Sequence, residues 1–203
     1  MRNKKVVIIG YSGHSFGCIE VAINQEYSIV GYHDISEKVS NPYNLKYLGD
    51  EDNIDSNNKP FIAVWDNIIR RTIYEKLKSN NILLNTILIH SNTIISKSSL
   101  IEEQTFISGG VIINPQVKIG IACIINTGAI IEHDCSIGKF SHIAPGAVLA
   151  GNVSIGSGCM IGANAVIKQG VKVGDNVIVG AGAVVLKDLN SNTIFVGNPA
   201  KQI

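Results

Sequence analysis

Aliphatic residues recur at every sixth position through the second half of the chain, with no insertion. A second series, in which every member is small or β-branched, stands four positions after each of them. A fixed internal period over such a length is typical of a repeat architecture. The aliphatic series is Ile89, Ile95, Ile101, Ile107, Ile113, Ile119, Ile125, Ile131, Ile137, Ile143, Leu149, Ile155, Ile161, Ile167, Val173, Val179 and Val185. The small series is Thr93, Ser99, Thr105, Val111, Val117, Cys123, Ala129, Cys135, Ser141, Ala147, Val153, Cys159, Ala165, Val171, Val177 and Ala183.

A six-residue period is too short for helical repeats and fits one short strand followed by one tight corner. Three such units form a triangular coil of about 18 residues, and coils stack at the ordinary strand spacing of about 4.8 Å. We expect the aliphatic residue to fill the interior and the small residue to point inward where the wall bends. The sequence therefore predicts a parallel β-solenoid over residues 83–203, with the tail after Val185 as the cap of the last coil. Glycines follow the aliphatic position where close backbone approach suits a residue without a Cβ: Gly120, Gly138, Gly156, Gly162, Gly174 and Gly180.

The same register assigns the cysteines. Cys123, Cys135 and Cys159 fall in the small inward series, and Cys18 lies in a predicted helix. A cysteine in such a place is usually a small buried hydrophobe. We therefore predict neither a disulfide framework nor a nucleophilic cysteine, and the chain has no CxxC pair that would indicate a structural zinc site.

The first 82 residues show a different pattern, in which apolar runs alternate with helical periodicity. Strands are predicted over Lys4–Gly10, Tyr27–Tyr32 and Pro60–Trp65. Helices are predicted to begin near Phe16 and to span Asn67–Ser79. Strands that alternate with crossover helices indicate a small Rossmann-like parallel sheet, so residues 1–82 are expected to form an α/β domain.

Hydrophobic spacing predicts which helix faces pack inward. Asp66 is the expected N-cap of the second helix, because its carboxylate suits the free N–H groups of a first turn. On the first helix the predicted inward residues are Phe16, Ile19 and Ile23. On the second they are Ile69, Ile73 and Leu77.

The loop from Gly10 to Ser15 is the first candidate for ligand binding. It follows a strand of a parallel sheet and precedes a helix N-terminus, where backbone N–H groups favour a phosphate. The dinucleotide fingerprint is incomplete, because Gly10 and Gly13 are present but Ser15 stands where the third glycine would be. An ordinary strand-to-helix turn is the alternative. The loop at Trp65 is expected to flank the same crevice.

Composition narrows the expected partners. The 203 residues carry a net charge of +1, from 17 basic and 16 acidic side chains, with no basic run. Neither nucleic acid nor a membrane surface is therefore an expected partner. The apolar run Val6–Ile9 is too short for a signal peptide or a membrane span, so we expect a cytoplasmic protein without membrane insertion.

Two histidines are expected on the outer wall of the solenoid. His133 and His142 do not belong to the inward series, and histidine is well suited to accept a proton near neutral pH. A carboxylate beside His133, either Asp134 or Glu132, can raise its basicity. Two ordinary surface histidines are the alternative. The two residues are nine positions apart, half a coil, so a cleft between neighbouring solenoids is the place where both could reach one carbonyl.

These motifs resemble those of the hexapeptide-repeat acyltransferases, which fold as left-handed parallel β-helices. The closer resemblance is to sugar acetyltransferases that join a small N-terminal α/β domain to such a helix, and it covers essentially the whole chain. The residues that carry it are Asn126-Thr127, Glu132-His133-Asp134-Cys135, Gly138-x-Phe140-Ser141-His142, Ala150-Gly151-Asn152-Val153, Ser12-Gly13-His14, Asn67-x-x-Arg70-Arg71-x-x-Tyr74 and Gly197-x-Pro199-Ala200-Lys201.

The resemblance implies direct transfer of an acetyl group from acetyl-CoA to the amine of a nucleotide-linked 4-amino sugar, UDP-linked in the nearer branch. The setting would be bacterial surface-glycan biosynthesis, with the enzyme a homotrimer that needs no metal. It implies that His133 is the general base and that Asp134 tunes it. The residues implied to contact acetyl-CoA are His142, Ala163, Ala181 and Asn126. Those implied to bind the nucleotide sugar are Ser12, Gly13, His14 and Asp34.

Trp65 departs from the family pattern, which has a small residue beside the nucleotide. A tryptophan there can stack on the base or the sugar, or narrow the pocket.

Three other functions stay open at this point. O-acetylation of a sialic acid would use the same base. A metal-dependent trimer of the carbonic-anhydrase kind needs three histidine ligands, and the solenoid offers only His90, His133 and His142, with His90 more than two coils away. A non-catalytic sugar binder would not need an outward base, so His133 argues against it.

Overall fold

Three parallel strands in the order β2-β1-β3 form the N-terminal sheet. In the computed structural model, which describes residues 4–51, 54–55 and 58–203, β1 spans Lys4–Ile9, β2 Tyr27–His33 and β3 Lys59–Ile62. Helix α1 (Gly13–Asn24) connects β1 to β2, and α2 (Asn67–Ser79) follows β3. The predicted sheet is confirmed, although β3 ends three residues earlier than expected.

On each helix, the buried face differs in part from the face predicted from the sequence. On α1, Ile19 is buried as expected, but Ile23 is exposed, and Cys18 and Ala22 pack inward in its place. The prediction for Ile23 was wrong because the helix is covered by the sheet on one side and by the solenoid on another. A single hydrophobic stripe does not describe such a helix.

Helix α2 shows the larger correction. Asp66 caps it as predicted, accepting hydrogen bonds from the N–H groups of Ile68 and Ile69 at 2.9 Å. Ile69, however, is 53% exposed, while Arg70 and Tyr74 are buried with Leu77. The buried face of α2 therefore begins at Arg70, one residue later than predicted. This face is directed toward the solenoid, against which the helix packs.

The second half is a parallel solenoid with three walls of two-residue strands. Strands in one wall pair with a shift of 18 residues, as in the pairing of Ile124 with Phe106 and with His142. Wall 1 comprises β4 (Leu88–Ile89), β7 (Phe106–Ile107), β10 (Ile124–Ile125), β13 (His142–Ile143), β16 (Met160–Ile161), β19 (Ile178–Val179) and the cap strand β21 (Ile194–Val196). Wall 2 comprises β5 (Ile94–Ile95), β8 (Ile112–Ile113), β11 (Ile130–Ile131), β14 (Val148–Leu149), β17 (Val166–Ile167) and β20 (Val184–Val185). Wall 3 comprises β6 (Leu100–Ile101), β9 (Lys118–Ile119), β12 (Ser136–Ile137), β15 (Ser154–Ile155) and β18 (Lys172–Val173).

Three corners connect the walls. The first corner follows wall 1 and includes residues 126–129, 144–147, 162–165 and 180–183. The second follows wall 2 and includes residues 132–135, 150–153 and 168–171. The third follows wall 3 and includes residues 120–123, 138–141, 156–159 and 174–177.

The interior confirms the predicted register. The aliphatic series from Ile107 to Val185 forms one buried cluster with the apolar members of the small series. Cys123, Cys135 and Cys159 lie in that cluster, and all three are free thiols. Burial raises the pKa of the Cys123 thiol to about 12 and raises the pKa of Cys135 and Cys159 as well. The thiols are therefore protonated and inert at neutral pH.

The glycines after the aliphatic position allow the coils to stack. A Cβ on Gly138 would lie 2.5 Å from the backbone of Gly156 and Ser157, and one on Gly162 would lie 2.5 Å from the backbone nitrogen of Ala181. The close approach expected from the sequence is confirmed.

The outer faces of the walls differ in polarity. Wall 1 is covered in its early coils by the N-terminal domain, whose apolar residues pack on Leu88, Phe106 and Ile124. Wall 3 carries mainly lysine and serine. Wall 2 presents an aliphatic residue from each of its strands, all partly or fully exposed within the chain: Ile94, Ile112, Ile130, Val148, Val166 and Val184.

The tail closes the last coil as predicted. Leu189 is buried in the solenoid core and bridges to Val173. Strand β21 extends wall 1, and β22 (Lys201–Gln202) pairs with it in antiparallel fashion. Within the described ranges, no helix is both long and apolar enough to traverse a lipid bilayer.

Candidate active site

A cleft of about 330 Å³ lies between the N-terminal domain and wall 1 of the solenoid. The domain contributes the loop after β1 and the loop after β3, both at the carboxyl edge of the sheet, where ligands of such sheets bind. The residues that line the cleft are Gly13, His14, Gly17, Trp65, Phe106, Ser108, Asn126, Thr127 and His142. Five of the residues predicted for two different ligands thus meet in one cleft: Gly13, His14 and Trp65 for the nucleotide sugar, and Asn126 and His142 for acetyl-CoA.

His14 stands in the first turn of α1 and projects toward the solenoid. Its ring packs edge-on against Phe106, with centroids 5.3 Å apart, and its Nε2 lies 3.6 Å from Cys18 Sγ. Burial, and secondarily the positive charge of Arg70, lowers the pKa of His14 to about 4. The imidazole is therefore neutral at physiological pH. Beside it, the Ser12 N–H donates to Ser15 Oγ at 2.9 Å, which fixes the loop.

His142 is the outward residue of β13 and is only 6% exposed, because the N-terminal domain covers this coil. Its Nε2 lies 3.2 Å from Asn126 Nδ2. Asn126 Oδ1 accepts a hydrogen bond from the Thr127 N–H at 2.8 Å, which assigns the amide orientation and makes Nδ2 the donor to His142. By this assignment the neutral ring carries its proton on Nδ1.

The Nδ1 atom of His142 is buried and has no hydrogen-bond partner among the residues that the structure describes. An unsatisfied buried polar group typically costs about 1–3 kcal/mol, and such groups in native structures often have a functional reason. Burial, followed by the charges of Arg70 and His14, lowers the pKa of His142 to about 3. His142 is therefore neutral at physiological pH, and its buried Nδ1–H has no acceptor among the described residues.

His133 lies at the second corner, outside the cleft. Its Nδ1 is 2.8 Å from Asp134 Oδ2, and both side chains are more than half exposed. The carboxylate accepts the Nδ1–H, which leaves Nε2 with the lone pair that a general base needs. Asp134 has φ +60°, and the ring of His133 rests on Gly151 of the next coil, where a Cβ would lie 2.7 Å from it. Asp134 thus reaches its predicted partner.

One chain does not bring His133 to the cleft. The whole of wall 2 separates the second corner from the first corner, which carries Asn126. The remaining predicted acetyl-CoA residues, Ala163 and Ala181, stack on successive coils of that first corner, and the Gly182 N–H donates to Ala163 O at 2.8 Å. They continue the column of the first corner away from the cleft.

Of the other residues predicted to bind the sugar, Trp65 lines the cleft, whereas Ser12 and Asp34 are not among its lining residues. Asp34 accepts the backbone N–H of Tyr11 at 2.8 Å and pairs with Lys38 at 2.8 Å, so its carboxylate braces the loops around the strand ends. Trp65 is 55% exposed at the rim of the cleft. It also borders a neighbouring groove that runs past Met160 and Ile178 on wall 1.

Several residues of this region were not found from the sequence. Ser108 and Phe106 line the cleft, and the register itself could have found them, because Ser108 lies one coil before Asn126 and Phe106 two coils before His142. Arg70 was missed because the apolar spacing of α2 placed Ile69 inward. Its side chain bridges the domain and the solenoid with five hydrogen bonds.

Family models match both halves of the chain. The PglD N-terminal domain matches residues 5–77, and the hexapeptide repeat of succinyl-transferase matches residues 152–187. With a histidine–carboxylate pair at a solenoid corner and a small α/β domain over wall 1, the fold and the site define a hexapeptide-repeat acyltransferase.

Similar solved structures identify the family within this class. PerB from Caulobacter crescentus, in complex with CoA and GDP-perosamine, is 32% identical with a TM-score of 0.90, covering 98% of this chain and 97% of that one. The acetyltransferase domain of PglB from Neisseria gonorrhoeae is 30% identical with a TM-score of 0.91, covering 99% and 100%. WeeI from Acinetobacter baumannii, 24% identical with a TM-score of 0.88 over 98% and 99%, shares the fold.

This chain belongs to the family of acetyl-CoA-dependent sugar N-acetyltransferases that join a PglD N-terminal domain to a hexapeptide-repeat solenoid. The predicted fold class, a Rossmann-like parallel sheet followed by a left-handed parallel β-helix, is confirmed by the same similarity.

The buried histidines predict a specific pH dependence of stability. In the unfolded chain both titrate at the ordinary pKa of 6.5, but in the folded chain His14 does so at about 4 and His142 at about 3. Below pH 6.5 the unfolded state binds more protons, so the free energy of unfolding falls as the pH drops toward 4. The loss is at most about 1.4 kcal/mol per pH unit for each histidine. Urea unfolding at pH 7, 6 and 5, at fixed protein concentration, measures it. His142→Asn should show a shallower dependence than the natural chain, and equal slopes would contradict the burial of a neutral His142.

Proposed function

We propose that this chain transfers the acetyl group of acetyl-CoA to the amino group of a nucleotide-linked 4-amino-deoxy sugar by direct attack. The observation that carries the proposal is the His133–Asp134 pair, whose contact of 2.8 Å leaves Nε2 of His133 as the proton acceptor. Relatives support the substrates: PerB is in complex with CoA and GDP-perosamine, and the PglB domain has been solved with acetyl coenzyme A.

In the proposed reaction the sugar amine attacks the thioester carbonyl carbon. The nitrogen–carbon bond forms, the carbon–sulfur bond breaks, and CoA leaves as the thiolate. His133 Nε2 takes the proton that the amine loses, and the resulting imidazolium is stabilised by Asp134. The proton on His133 then neutralises the CoA thiolate, which returns the base to its starting state.

His142 has a different role in this proposal. Its Nδ1–H is a buried donor without a partner in the described chain, and the thioester oxygen is an acceptor of the right kind. A donor aimed at an oxygen that gains negative charge stabilises the transition state. The hydrogen bond from Asn126 keeps His142 in the tautomer with its proton on Nδ1. The backbone of Ala163 and Ala181, at the first corner, would border the rest of acetyl-CoA.

The nucleotide sugar is assigned to the loops of the N-terminal domain. Ser12, Gly13 and His14 stand at the N-terminus of α1, where backbone N–H groups favour a diphosphate. Asp34 braces this loop, and Trp65 offers an exposed ring for stacking on the sugar or the base. The sequence resemblance favours UDP as the nucleotide, and GDP is the second candidate because PerB is in complex with a GDP-linked sugar.

The proposed enzyme is a homotrimer with three sites between subunits. The positions of the residues support this: His133 lies at the second corner and the His142–Asn126 pair lies across wall 2 from it, so we expect a site containing both to use two chains. Wall 2 also carries the aliphatic column from Ile94 to Val184, a continuous apolar face of the kind that marks a protein interface. The enzyme is proposed to work in the cytoplasm, in bacterial surface-glycan biosynthesis, where acetyl-CoA and nucleotide sugars are both available.

Acceptor preference tests the substrate class. Release of CoA thiol from acetyl-CoA is measured with UDP-, GDP- and dTDP-linked 4-amino sugars, and with a sialic acid as the O-acetylation acceptor. We expect the highest kcat/KM with the UDP-linked amine and a loss of activity with the corresponding 4-hydroxy sugar. Preference for sialic acid would overturn the amine acceptor, whereas preference for the GDP-linked amine would overturn the nucleotide alone.

Substitution of the proposed base tests the mechanism. His133→Ala should lower kcat by about 10²–10⁴-fold, the usual contribution of a general base, without changing the assembly state measured by light scattering. His90→Ala is the matched control, because His90 also lies against a glycine of the next coil, Gly109, and is not among the residues that line the cleft. A His133→Ala enzyme with nearly normal turnover would remove His133 from this role.

Mixed oligomers test whether the site lies between chains. His133→Ala and His142→Asn chains, each expected to be impaired alone, are coexpressed with different affinity tags, and doubly tagged oligomers are purified. Since a three-membered ring that holds both kinds of chain has one of its three head-to-tail interfaces with both histidines intact, activity should return to roughly a third of normal. No recovery in verified mixed oligomers, or full turnover by a monomer, would place the site within one chain.

A further inference from the structure

Arg70 is a buried cation whose partners are all uncharged. It is 1% exposed, and each of its five N–H groups donates a hydrogen bond at 2.7–3.0 Å. Nε donates to Ala122 O, Nη1 to Val64 O and Trp65 O, and Nη2 to Asn67 Oδ1 and Phe140 O. Five is the full donor capacity of a guanidinium, so the site is matched to arginine and not to lysine, which has three donors.

These acceptors belong to three separate segments of chain. Val64, Trp65 and Asn67 form the loop between β3 and α2, which makes one wall of the cleft. Ala122 and Phe140 are on two successive coils of the third corner, 18 residues apart. Asn67 extends the same contact by donating to Gly158 O and Cys159 O, on the next coil. The guanidinium therefore fastens the loop of Trp65 to the solenoid wall that carries His142.

The charge of Arg70 acts on the same cleft. It is the second cause, after burial, of the lowered pKa of both His14 and His142. The titratable groups that share this environment are Cys18 on α1, Cys123 and His142 on the solenoid, His14 in the domain and Asp66 at the start of α2. Asp66 Oδ1 is engaged by the N–H groups of its own helix, so it does not form a close ion pair that would cancel the charge.

We infer that Arg70 is a positioning residue for the transfer reaction: its five hydrogen bonds set the width of the cleft between the domain and the solenoid, and its charge adds to the burial that keeps His142 neutral. The inference rests on the proposed function for its catalytic meaning. Arg70 would act through two separable properties. Its five N–H donors fix the loop, and its positive charge opposes protonation of the histidines. A difference of about 1 Å in the placement of reacting groups can cost about 10²-fold in rate.

Two substitutions separate the contribution of the Arg70 hydrogen bonds from that of its positive charge. Arg70→Lys keeps the charge and loses part of the hydrogen-bond network, whereas Arg70→Met loses both. We expect Arg70→Lys to lower kcat/KM for the nucleotide amino sugar by about 10–100-fold while the pKa of His142, followed by NMR, stays low. Arg70→Met should raise the pKa of both His14 and His142 toward the ordinary value. The adjacent Arg71→Met is the matched control, because Arg71 is exposed and pairs with Glu75.

All kinetic constants are measured at a temperature where circular dichroism shows each variant fully folded. If Arg70→Met does not fold, the Arg70→Lys kinetics decide alone. A folded Arg70→Lys enzyme with the constants of the natural chain would overturn the inference and leave Arg70 as a stabilising residue only. The NMR titration does not depend on the reaction, so an unchanged histidine pKa in folded Arg70→Met contradicts the role of the charge, whether or not sugar acetylation is found.

Discussion

The stacking of each residue on its neighbour 18 positions away is the constraint on which the rest of the structure depends. Because strand pairing repeats at that interval, an inward position stays inward through every coil, and the outer face of each wall becomes a column of one chemical character. Wall 1 is apolar at Phe106 and Ile124, where the domain covers it, and His142 is the polar residue of this column, followed by Met160 and Ile178. Wall 2 is aliphatic throughout, and wall 3 is mainly polar. The three walls of the solenoid therefore present three outer faces of different polarity.

This constraint also explains what could be predicted from the sequence. The solenoid was predicted residue by residue, including the inward cysteines and the glycines that allow coils to approach, because a strict period leaves no freedom in register. The docking of the N-terminal domain has no such period. Ile69 was placed inward by helical spacing, but Arg70 is buried instead, since the guanidinium finds five acceptors in three chain segments that no local pattern reveals. His142 was correctly placed on the outer wall, yet its burial follows only from the docked domain.

The two histidine environments suit two different tasks. His142 is desolvated, beside a buried cation, and its Nε2 is occupied by Asn126, so it is held neutral with one proton to donate. His133 is exposed, and its Nδ1–H donates to the Asp134 carboxylate, so that Nε2 is left free to accept a proton. Exchanging the two environments would defeat both roles, because a buried His133 without Asp134 would resist protonation. In the proposed mechanism, the two histidines are therefore assigned to proton acceptance and hydrogen-bond donation by their environments rather than by residue type.

The proposed assembly follows from the same geometry. Wall 2 lies between the first corner, with Asn126 and Ala163, and the second corner, with His133. An interface formed on wall 2 therefore has the acetyl-CoA edge of one chain on one border and the base on the other. In a closed ring of heterologous contacts, each chain would present its base to the neighbour's cleft. In the proposed trimer, one contact would both cover the apolar face of wall 2 and bring the second histidine to the active site. Association would thus complete a site that folding of one chain leaves incomplete.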